Sequence, residues 1–151
     1  MIAVLQRVSF AKVVTDGECV AECGKGFLIL LGVASDDCEE DARLLAEKIS
    51  KLRVFQDDAG KMNLSVNDVS GGAVVVPNFT LLASYKKGNR PDFFNSAPPR
   101  LSKPLFEYFT NYLKQLVPEV TAGVFGADMK VSLCNDGPVT IHMDSKVLSK
   151  K

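Results

Sequence analysis

Two short segments place backbone groups, amides and hydroxyls where a ligand can reach them. The first is NDGPVT at residues 135–140, in which Gly137 and Pro138 interrupt a run that otherwise has the pattern of a β-strand. Proline supplies no N–H to a strand ladder and glycine brings no side chain to pack, so sheet interiors avoid both unless a bulge, an edge or a close ligand requires them. The pair predicts either a turn or edge irregularity, or bare backbone presented to a ligand.

The second segment is PNFTL at residues 77–81, directly after an apolar run. It combines the amide of Asn78, the ring of Phe79 and the hydroxyl of Thr80. Taken singly, Phe79 is a typical core ring and Thr80 a typical strand residue. Taken together, the two segments predict a site that binds and orients its ligand, and whose N–H groups can stabilise an oxyanion without an acidic or basic side chain.

The residue types give little support to other catalytic chemistries. The only histidine, His142, lies in an alternating strand pattern, where a surface histidine is more common than a catalytic one. Cys19 and Cys23 are spaced C-x₃-C and no second pair stands at zinc-ligand spacing, so no metal site is expected. The sequence contains no Walker A loop and no G-x-G-x-x-G motif, so no cofactor is expected.

Length and composition predict one domain over residues 1–151. An apolar share of 46% supports a sizeable core, and the apolar runs are too short to span a bilayer. The N-terminus does not have the pattern of a signal peptide, so we expect a soluble cytoplasmic protein without membrane contacts, whose four cysteines are reduced. The formal net charge of zero argues against non-specific coating of nucleic acid, although Lys86, Lys87 and Arg90 form a small basic cluster that suits one end of an anionic ligand.

The first half of the chain has several strand-like runs. Residues 2–10 and 12–15 predict two strand segments, and Asp16 with Gly17 forms a strong turn signal after them. The continuous apolar run at residues 27–33 predicts a central strand that is buried on both faces. A second apolar run, at residues 73–76, predicts another buried strand that leads into PNFTL.

Two amphipathic helices follow from the 3.6-residue periodicity. Residues 35–37 offer N-cap candidates for the first helix, and Ser102 predicts the cap of the second, with Pro104 in its first turn and Pro118 after its end. The apolar positions of the first are Ala42, Leu45, Ala46, Ile49 and Leu52, and those of the second are Leu105, Phe106, Phe109, Leu113 and Leu116. Residues 120–143 then read as extended. The order predicts a single-domain mixed α/β protein with two main helices packed on a β-sheet system.

These segments together resemble the D-aminoacyl-tRNA deacylase family, also known as the D-tyrosyl-tRNA deacylases. The resemblance covers nearly the whole chain. It rests on AVLQRV (3–8), GKGFLILLGV (24–33), KMNLSV (61–66), PNFTL, KKGNRP (86–91), APP (97–99), FGADM (125–129) and NDGPVT. It implies a three-layer α/β fold with the element order ββ(βα)2βββ, and a homodimer in which each active site is built at the subunit interface.

The activity that the resemblance implies is hydrolysis of the ester between a D-amino acid and the 3′-terminal adenosine of tRNA, with glycyl esters accepted as well. The aminoacylated 3′ end of tRNA would be the partner, and the reaction would proofread chirality in translation. In the family the Gly-Pro peptide is cis and enters the partner's pocket, where it excludes L side chains. The resemblance therefore implies that Gly137 and Pro138 form the chiral filter and that Arg7 holds the pair in place.

The resemblance gives PNFTL the role of the opposite pocket wall. The N–H groups near Phe79 and Thr80 would face the scissile ester, and Phe125 and Met129 match the family's adenine-contacting positions. No base adjacent to Thr80 is visible to activate its hydroxyl as a nucleophile. A mechanism in which the ribose 2′-hydroxyl of the tRNA helps to activate water suits such a pocket, with the protein supplying positioning and oxyanion stabilisation.

One departure separates this chain from the family's usual SQFTL motif, because Pro77 and Asn78 replace Ser and Gln. A hydroxyl and an N–H are lost at the first position and a methylene at the second, so the edge of the substrate site is expected to differ there. A first-position proline also occurs in a paralogous subfamily with PQATL, which removes L-alanine from mischarged tRNA. Phe79 and Arg7 match the D-specific group instead.

Two other functions stay open at this point. One is a non-catalytic module that binds an RNA end or a small ligand, since the implied catalysis needs no diagnostic side chain. The other is an unrelated esterase centred on Thr80 or Ser84. Turnover of a D-aminoacyl ester in excess over the protein separates an enzyme from a binding module.

Overall fold

The computed structural model describes residues 1–149, in which eight strands are grouped around three helices. The strands are β1 (Ile2–Thr15), β2 (Glu18–Cys23), β3 (Gly26–Gly32), β4 (Phe55–Gln56), β5 (Met62–Leu64), β6 (Gly72–Pro77), β7 (Glu119–Ala122) and β8 (Lys130–Asp144). The helices are α1 (Glu39–Lys51), α2 (Pro99–Leu116) and α3 (Ser145–Leu148), and a 3₁₀ turn spans Phe79–Leu82. The last two residues of the predicted 1–151 domain lie outside the described part.

Strand β1 is one unbroken strand from Ile2 to Thr15. The prediction of two separate segments, at residues 2–10 and 12–15, was therefore wrong. Its pairing with β8 shifts register between Gln6 and Val8 and again between Val8 and Phe10. These irregularities disturb the alternation of buried and exposed residues while the strand itself continues.

The main sheet is curved and nearly closed. Its strands lie in the order β2-β1-β3-β6-β7, and β8 also pairs with β1. Strand β1 runs antiparallel to its neighbours, whereas β3, β6 and β7 are parallel to one another. The far strand β7 returns towards β2, where the Thr121 hydroxyl donates a hydrogen bond to the Glu22 carbonyl at 3.3 Å. Within residues 1–149, β8 pairs only with β1 and so forms an edge.

Both faces of the central strands are buried. On the outer face, Phe27, Ile29 and Val75 pack in one cluster with residues of α1 and α2. On the inner face, Leu28 and Val74 pack with apolar residues of β1 and β2. The predicted central strand is confirmed, and burial on both faces explains its continuous apolar run.

Helix α1 carries four of the five predicted apolar positions, since Leu52 follows the helix as its C-cap, and it begins later than predicted. Its buried residues include Ala42, Leu45, Ala46 and Ile49. Its N-cap is Cys38, so the prediction of a cap within residues 35–37 was wrong. The reason is that the Asp41 carboxylate accepts a hydrogen bond from the Cys38 N–H at 2.9 Å and closes a capping box there. Asp37, before the cap, accepts from the Ala34 N–H at 2.6 Å instead.

A buried polar network ties α1 to both ends of the described chain. The α-ammonium of Met1 donates to Asp37 at 2.5 Å and to the Ser145 hydroxyl at 2.8 Å. Ser145 donates to Asp41 at 2.6 Å, and the Lys146 ammonium lies 3.3 Å from the Asp37 and Asp41 carboxylates. Burial by itself raises the pKa of Asp41, but hydrogen bonds from Ser145 and then from the helix cap lower it to about 2.

Helix α2 begins at Pro99, three residues before the predicted cap Ser102. Pro98 precedes it with φ −64°, and a proline pair of this kind starts a helix readily. Ser102 lies inside the helix, where its hydroxyl donates to the Pro98 carbonyl at 3.2 Å. The predictions of a cap at Ser102 and of Pro104 in the first turn were therefore wrong. The predicted end before Pro118 is confirmed.

These elements confirm a mixed α/β single domain with two main helices packed on a β-sheet system. Helices α1 and α2 pack against one face of the central strands, and apolar residues of β1 and β2 pack against the other face. The C-terminal extended region consists of β7 and a long β8, so NDGPVT lies inside one strand. The short helix α3 was not predicted.

Candidate active site

The carboxyl end of β6 leads into the exposed 3₁₀ turn Phe79–Leu82. Pro77 is the last residue of β6, and the Asn78 N–H donates to the Leu31 carbonyl in β3 at 2.8 Å. A residue other than proline at position 77 would therefore point its backbone N–H towards β7, whose pairing with β6 ends at Ala122. A proline is tolerated at this position because no partner strand continues beside it.

Two N–H groups at the start of the turn are open to a ligand. The Leu81 N–H reaches the Asn78 carbonyl at 3.4 Å, and the Ala83 N–H reaches the Thr80 carbonyl at 3.1 Å. The N–H groups of Phe79 and Thr80 come before these bonds and have no acceptor among residues 1–149. Both residues are exposed, Phe79 by 58%. Adjacent free donors of this kind are what an oxyanion site requires.

Side-chain hydrogen bonds hold the turn on both sides. The Thr80 hydroxyl donates to the side-chain oxygen of Asn78. The Ser96 hydroxyl donates to the backbone carbonyl of Phe79 at 2.9 Å. Because the C=O and N–H of one trans peptide point in opposite directions, the Ser96 bond also orients the N–H of Thr80. The Phe79 ring packs edge-on against Phe93, with ring centroids 5.0 Å apart.

A cavity of about 520 Å³ opens beside the turn. Pro77, Asn78 and Phe79 line one side, and Phe125 and Met129, from the segment between β7 and β8, line another. The other lining residues are Leu31, Val33, Phe93, Ser96, Ala97, Pro99, Ser102, Phe106, Gly126 and Ala127. None of these side chains, within the described chain, carries an acid or base that titrates near neutral pH. The size and the apolar lining with a few polar groups are typical of small-ligand sites.

Two contacts position the second side of the cavity. A Cβ at Gly123 would lie 2.6 Å from the sulfur of Met129, so glycine gives this methionine its room. Phe125 packs against Phe106 of α2 with ring centroids 6.2 Å apart. Sequence reasoning missed both Gly123 and Ser96 as site residues. Glycine and serine are common throughout the sequence, and their contacts at the cavity are made with residues that become neighbours only in the folded chain.

The Gly137–Pro138 peptide is cis and lies in an irregular part of β8. Strands β1 and β8 pair on both sides of it, but the four residues 136–139 stand opposite Arg7 alone. We call residues 136–139 the Gly-Pro arch. Gly137 and Pro138 are exposed. The edge irregularity that was one predicted alternative is therefore present. The prediction of a turn was wrong, because β8 continues past Gly137 and Pro138.

Arg7 and Asn135 hold the arch in place. Arg7 is only 6% exposed, and its Nε donates to the Asp136 carbonyl at 2.8 Å. The side-chain oxygen of Asn135 accepts from the Val139 N–H at 2.9 Å. A Cβ at Gly137 would lie 2.8 Å from Val139 Cγ2 and 3.1 Å from Arg7 Nη2. The inner side of the arch is thus fully packed, while its outer side is open.

Comparison with known proteins decides the family. The model of the D-Tyr-tRNA(Tyr) deacylase family matches residues 4–144. The chain belongs to this family. Relatives named D-aminoacyl-tRNA deacylase include that of Anaeromyxobacter dehalogenans, 53% identical over 98% of this chain and 99% of the relative. Another, from Roseiflexus castenholzii, is 52% identical over 97% of this chain and 94% of the relative.

Two solved structures share the deacylase fold of this chain. The c-Myc DNA Unwinding Element Binding Protein has 37% sequence identity and a TM-score of 0.90, over 95% of this chain and 98% of that chain. A structure described as a probable eukaryotic D-amino acid tRNA deacylase has 14% identity and a TM-score of 0.83 over the same shares, and supports the fold alone. The fold class expected from the sequence resemblance is confirmed.

The predicted deacylase site residues lie in two places. Those that line the cavity are Pro77, Asn78, Phe79, Phe125 and Met129. Thr80 lies on the same turn but is not one of the residues that line the cavity. Those at the arch are Arg7, Gly137 and Pro138. Within one copy of residues 1–149 the arch does not line the cavity.

Neither a cluster of metal-ligating side chains nor a membrane-spanning helix is present in residues 1–149. Residues 1–149 contain no group of three or more His, Cys, Asp or Glu that could hold a metal ion. None of the described helices is both long and apolar enough to cross a membrane. The four cysteines are not joined in disulfides in this structure: Cys19, Cys23, Cys38 and Cys134.

Proposed function

We propose that this protein hydrolyses the ester bond of D-aminoacyl-tRNA, and of glycyl-tRNA, to release the free amino acid and tRNA. The observation that carries the proposal is the apolar cavity beside the Phe79–Leu82 turn, whose first two N–H groups are open, in a chain of the deacylase family. The names of the close relatives support the same substrate class. The cavity would take the terminal nucleoside, with Phe125 and Met129 against its base.

The proposed reaction is carried by backbone groups and the substrate itself. A water molecule adds to the ester carbonyl carbon, and the resulting oxyanion accepts hydrogen bonds from the N–H groups of Phe79 and Thr80. The bond from that carbon to the ribose 3′ oxygen then breaks, and the 3′ oxygen takes the proton that the water gives up. The ribose 2′-hydroxyl relays this proton, because the described cavity offers no side chain that can.

Thr80 acts in this scheme through its backbone and not as a nucleophile. Its hydroxyl donates to the side-chain oxygen of Asn78, and a neutral amide cannot take the proton of an alcohol. We expect Thr80→Val to keep the single-turnover rate within about tenfold of wild type, since it removes one neutral hydrogen bond. Rapid-quench deacylation of D-Tyr-tRNA measures the rate. Complete loss of chemistry with intact binding of the tRNA end would support a Thr80 esterase instead.

Chirality would be read by the Gly-Pro arch of a second copy of the chain. Gly137 and Pro138 are exposed and lie apart from the cavity of their own subunit, so a homodimer would have to bring a partner's arch to each cavity. There the arch carbonyls would fill the space that an L side chain needs, while a D side chain or the hydrogen of glycine avoids them. Arg7 would keep the arch in shape through the Asp136 carbonyl.

The test is single-turnover deacylation by the purified protein of D-Tyr-tRNA, L-Tyr-tRNA, Gly-tRNA and L-Ala-tRNA. Loss of the D-tyrosyl and glycyl esters with both L esters spared is the expected result. Cleavage of L-Ala-tRNA would place the protein in the paralogous subfamily with the PQATL motif, whose first proline corresponds to Pro77. Binding of the tRNA end without any cleavage would leave a non-catalytic module.

A further inference from the structure

We infer that the loop at residues 85–91 binds the phosphate backbone of the tRNA acceptor strand next to the terminal nucleotide, with Tyr85 stacking on a base. The inference rests on the proposed function, because it names the surface that receives the RNA leading into the same cavity. It concerns residues outside the cavity lining and the Gly-Pro arch. We call residues 85–91 the basic loop.

The basic loop is a well-defined projection beside the cavity. Ser84 and Asp92 close its base with two backbone hydrogen bonds, of 2.8 and 2.9 Å. On one side, Ser84 follows the Phe79–Leu82 turn directly, with only Ala83 between them. On the other side, Asp92 is followed by Phe93, which lines the cavity. Both stems therefore lead to cavity walls, while residues 85–91 are all exposed.

The charge of this region is unlike that of the rest of the chain. Residues 85–103 contain five basic side chains and one carboxylate, Asp92, whereas the remaining residues contain thirteen basic and seventeen acidic side chains. Within the basic loop, Lys86, Lys87 and Arg90 have no ion-pair partner among the described residues. Unpaired cations beside a cavity attract a polyanion, and each neutralised phosphate adds to a salt-dependent affinity.

Tyr85 distinguishes RNA from other anionic partners. Its side chain is 81% exposed, and it takes part in no aromatic pair within residues 1–149. A large ring left in water next to free lysines is the arrangement by which proteins bind single-stranded nucleic acid, where bases stack on rings and cations follow the backbone. An acidic protein would use the cations but would leave the ring without its stacking partner.

The test compares a long and a short substrate of the same chemistry. The triple variant K86Q/K87Q/R90Q is assayed on D-Tyr-tRNA and on 3′-D-tyrosyl-adenosine, which lacks all preceding nucleotides. We expect KM for the tRNA to rise by at least about tenfold, with the nucleoside ester cleaved at the wild-type rate. The dependence of log KM on log salt should flatten by roughly two, because three phosphate contacts are removed. Equal effects on both substrates, or on neither, would overturn the inference.

A matched control changes three exposed lysines elsewhere. K25Q/K61Q/K114Q removes the same number of positive charges and should leave both KM values and the salt dependence as in wild type. An equal rise in KM for the tRNA in this control would reduce the effect to net charge and would overturn the inference.

Tyr85 is tested separately from the charges. Tyr85→Ala should weaken tRNA binding by roughly tenfold, the effect of one lost base stack, while Tyr85→Phe should restore it. Fluorescence anisotropy with a labelled tRNA carrying a non-hydrolysable 3′-amide gives the affinity directly. This measurement also separates the two proposals. Absence of ester cleavage by the wild-type protein would refute the proposed function alone. Selective loss of tRNA binding in the loop variants would still support the basic loop in that case.

Discussion

Gly137 is the residue at which the smallest change should have the largest effect on the proposed activity. Its φ is +145°, and an added Cβ would lie 2.8 Å from Val139 Cγ2 and 3.1 Å from Arg7 Nη2. We expect Gly137→Ala to displace the arch and to lower kcat/KM for D-Tyr-tRNA by at least about fivefold, since overpacking of this kind costs about 1–3 kcal/mol. Steady-state kinetics measure the change.

Gly60 is the matched control for Gly137. It also has a positive φ, +76°, but an added Cβ would meet nothing within 4 Å. Gly60→Ala should therefore lower stability through backbone strain while leaving kcat/KM unchanged. An equal loss of activity in both variants would mean that strain, and not crowding of the arch, is the cause.

Ser96 should act as a positioning residue for the 3₁₀ turn. Its hydroxyl holds the Phe79 carbonyl at 2.9 Å and thereby orients the N–H of Thr80. Ser96→Ala is expected to lower kcat about fivefold with little change in KM, because a net hydrogen bond of roughly 1 kcal/mol is lost from a group that contacts only the developing oxyanion. Single-turnover and steady-state assays on D-Tyr-tRNA separate the two constants.

The conservative variant distinguishes this role from simple destabilisation. Ser96→Thr keeps a hydroxyl and should recover most of kcat. A parallel fall of kcat in both variants, or an increase in KM alone, would contradict the positioning role and leave Ser96 as part of the cavity wall.

At the scale of elements, the network at the N-terminus of α1 should make stability depend on acid. The pKa of Asp41 is about 2 in the folded protein against an ordinary value of 3.8. A lowered folded pKa means that the stabilisation is complete above pH 3.8 and is lost as the pH falls towards 2. Wild-type stability should therefore decline over this interval, as measured by urea unfolding at a series of pH values.

Asp41→Asn should remove this part of the pH dependence. The variant loses charged hydrogen bonds to Ser145 and the Cys38 cap, so we expect it to be about 2 kcal/mol less stable at pH 7. Its free energy of unfolding should fall less steeply between pH 3.8 and 2 than that of wild type. Asp58→Asn, in an exposed turn, is the control and should keep the wild-type slope. An unchanged slope in Asp41→Asn would show that other carboxylates dominate acid unfolding.

In the molecule as a whole, the two groups of site residues lie in separate places on one copy of the chain. If each cavity is completed by a partner's arch, two impaired variants should complement each other. Ala127→Trp would fill the cavity of its own subunit, and Gly137→Ala would spoil the arch offered to the partner. Random pairing of equal amounts gives half heterodimers with one intact site each, so about a quarter of wild-type activity should return.

Unfolding and refolding the two variants together, followed by D-Tyr-tRNA assays, measures this recovery. Native mass spectrometry separates the heterodimer from the two homodimers by mass and shows whether heterodimers have formed. Heterodimers without recovered activity would place the complete site within one subunit and would contradict the proposed cross-subunit filter.

The two main helices, the central strand and the class of fold could be predicted from the sequence alone. The apolar run at residues 27–33 predicted the central strand, and the periodic positions Ala42, Leu45, Ala46 and Ile49 predicted the buried face of α1. These patterns are local and reflect burial directly, so they can be read without the fold. Family motifs such as PNFTL added the cavity wall, where Asn78 and Phe79 do lie.

Tertiary structure decided the features that depend on contacts between distant segments. The caps were misassigned because Asp41 closes a box on Cys38, and because Pro98 and Pro99 start α2 ahead of Ser102. Ser96 and Gly123 gained their places at the cavity only through the folded chain. The separation of the Gly-Pro arch from the cavity could not be predicted from the sequence either, because the number of residues between two segments does not determine the distance between them in the fold. Local patterns record burial, but only packing decides which groups meet.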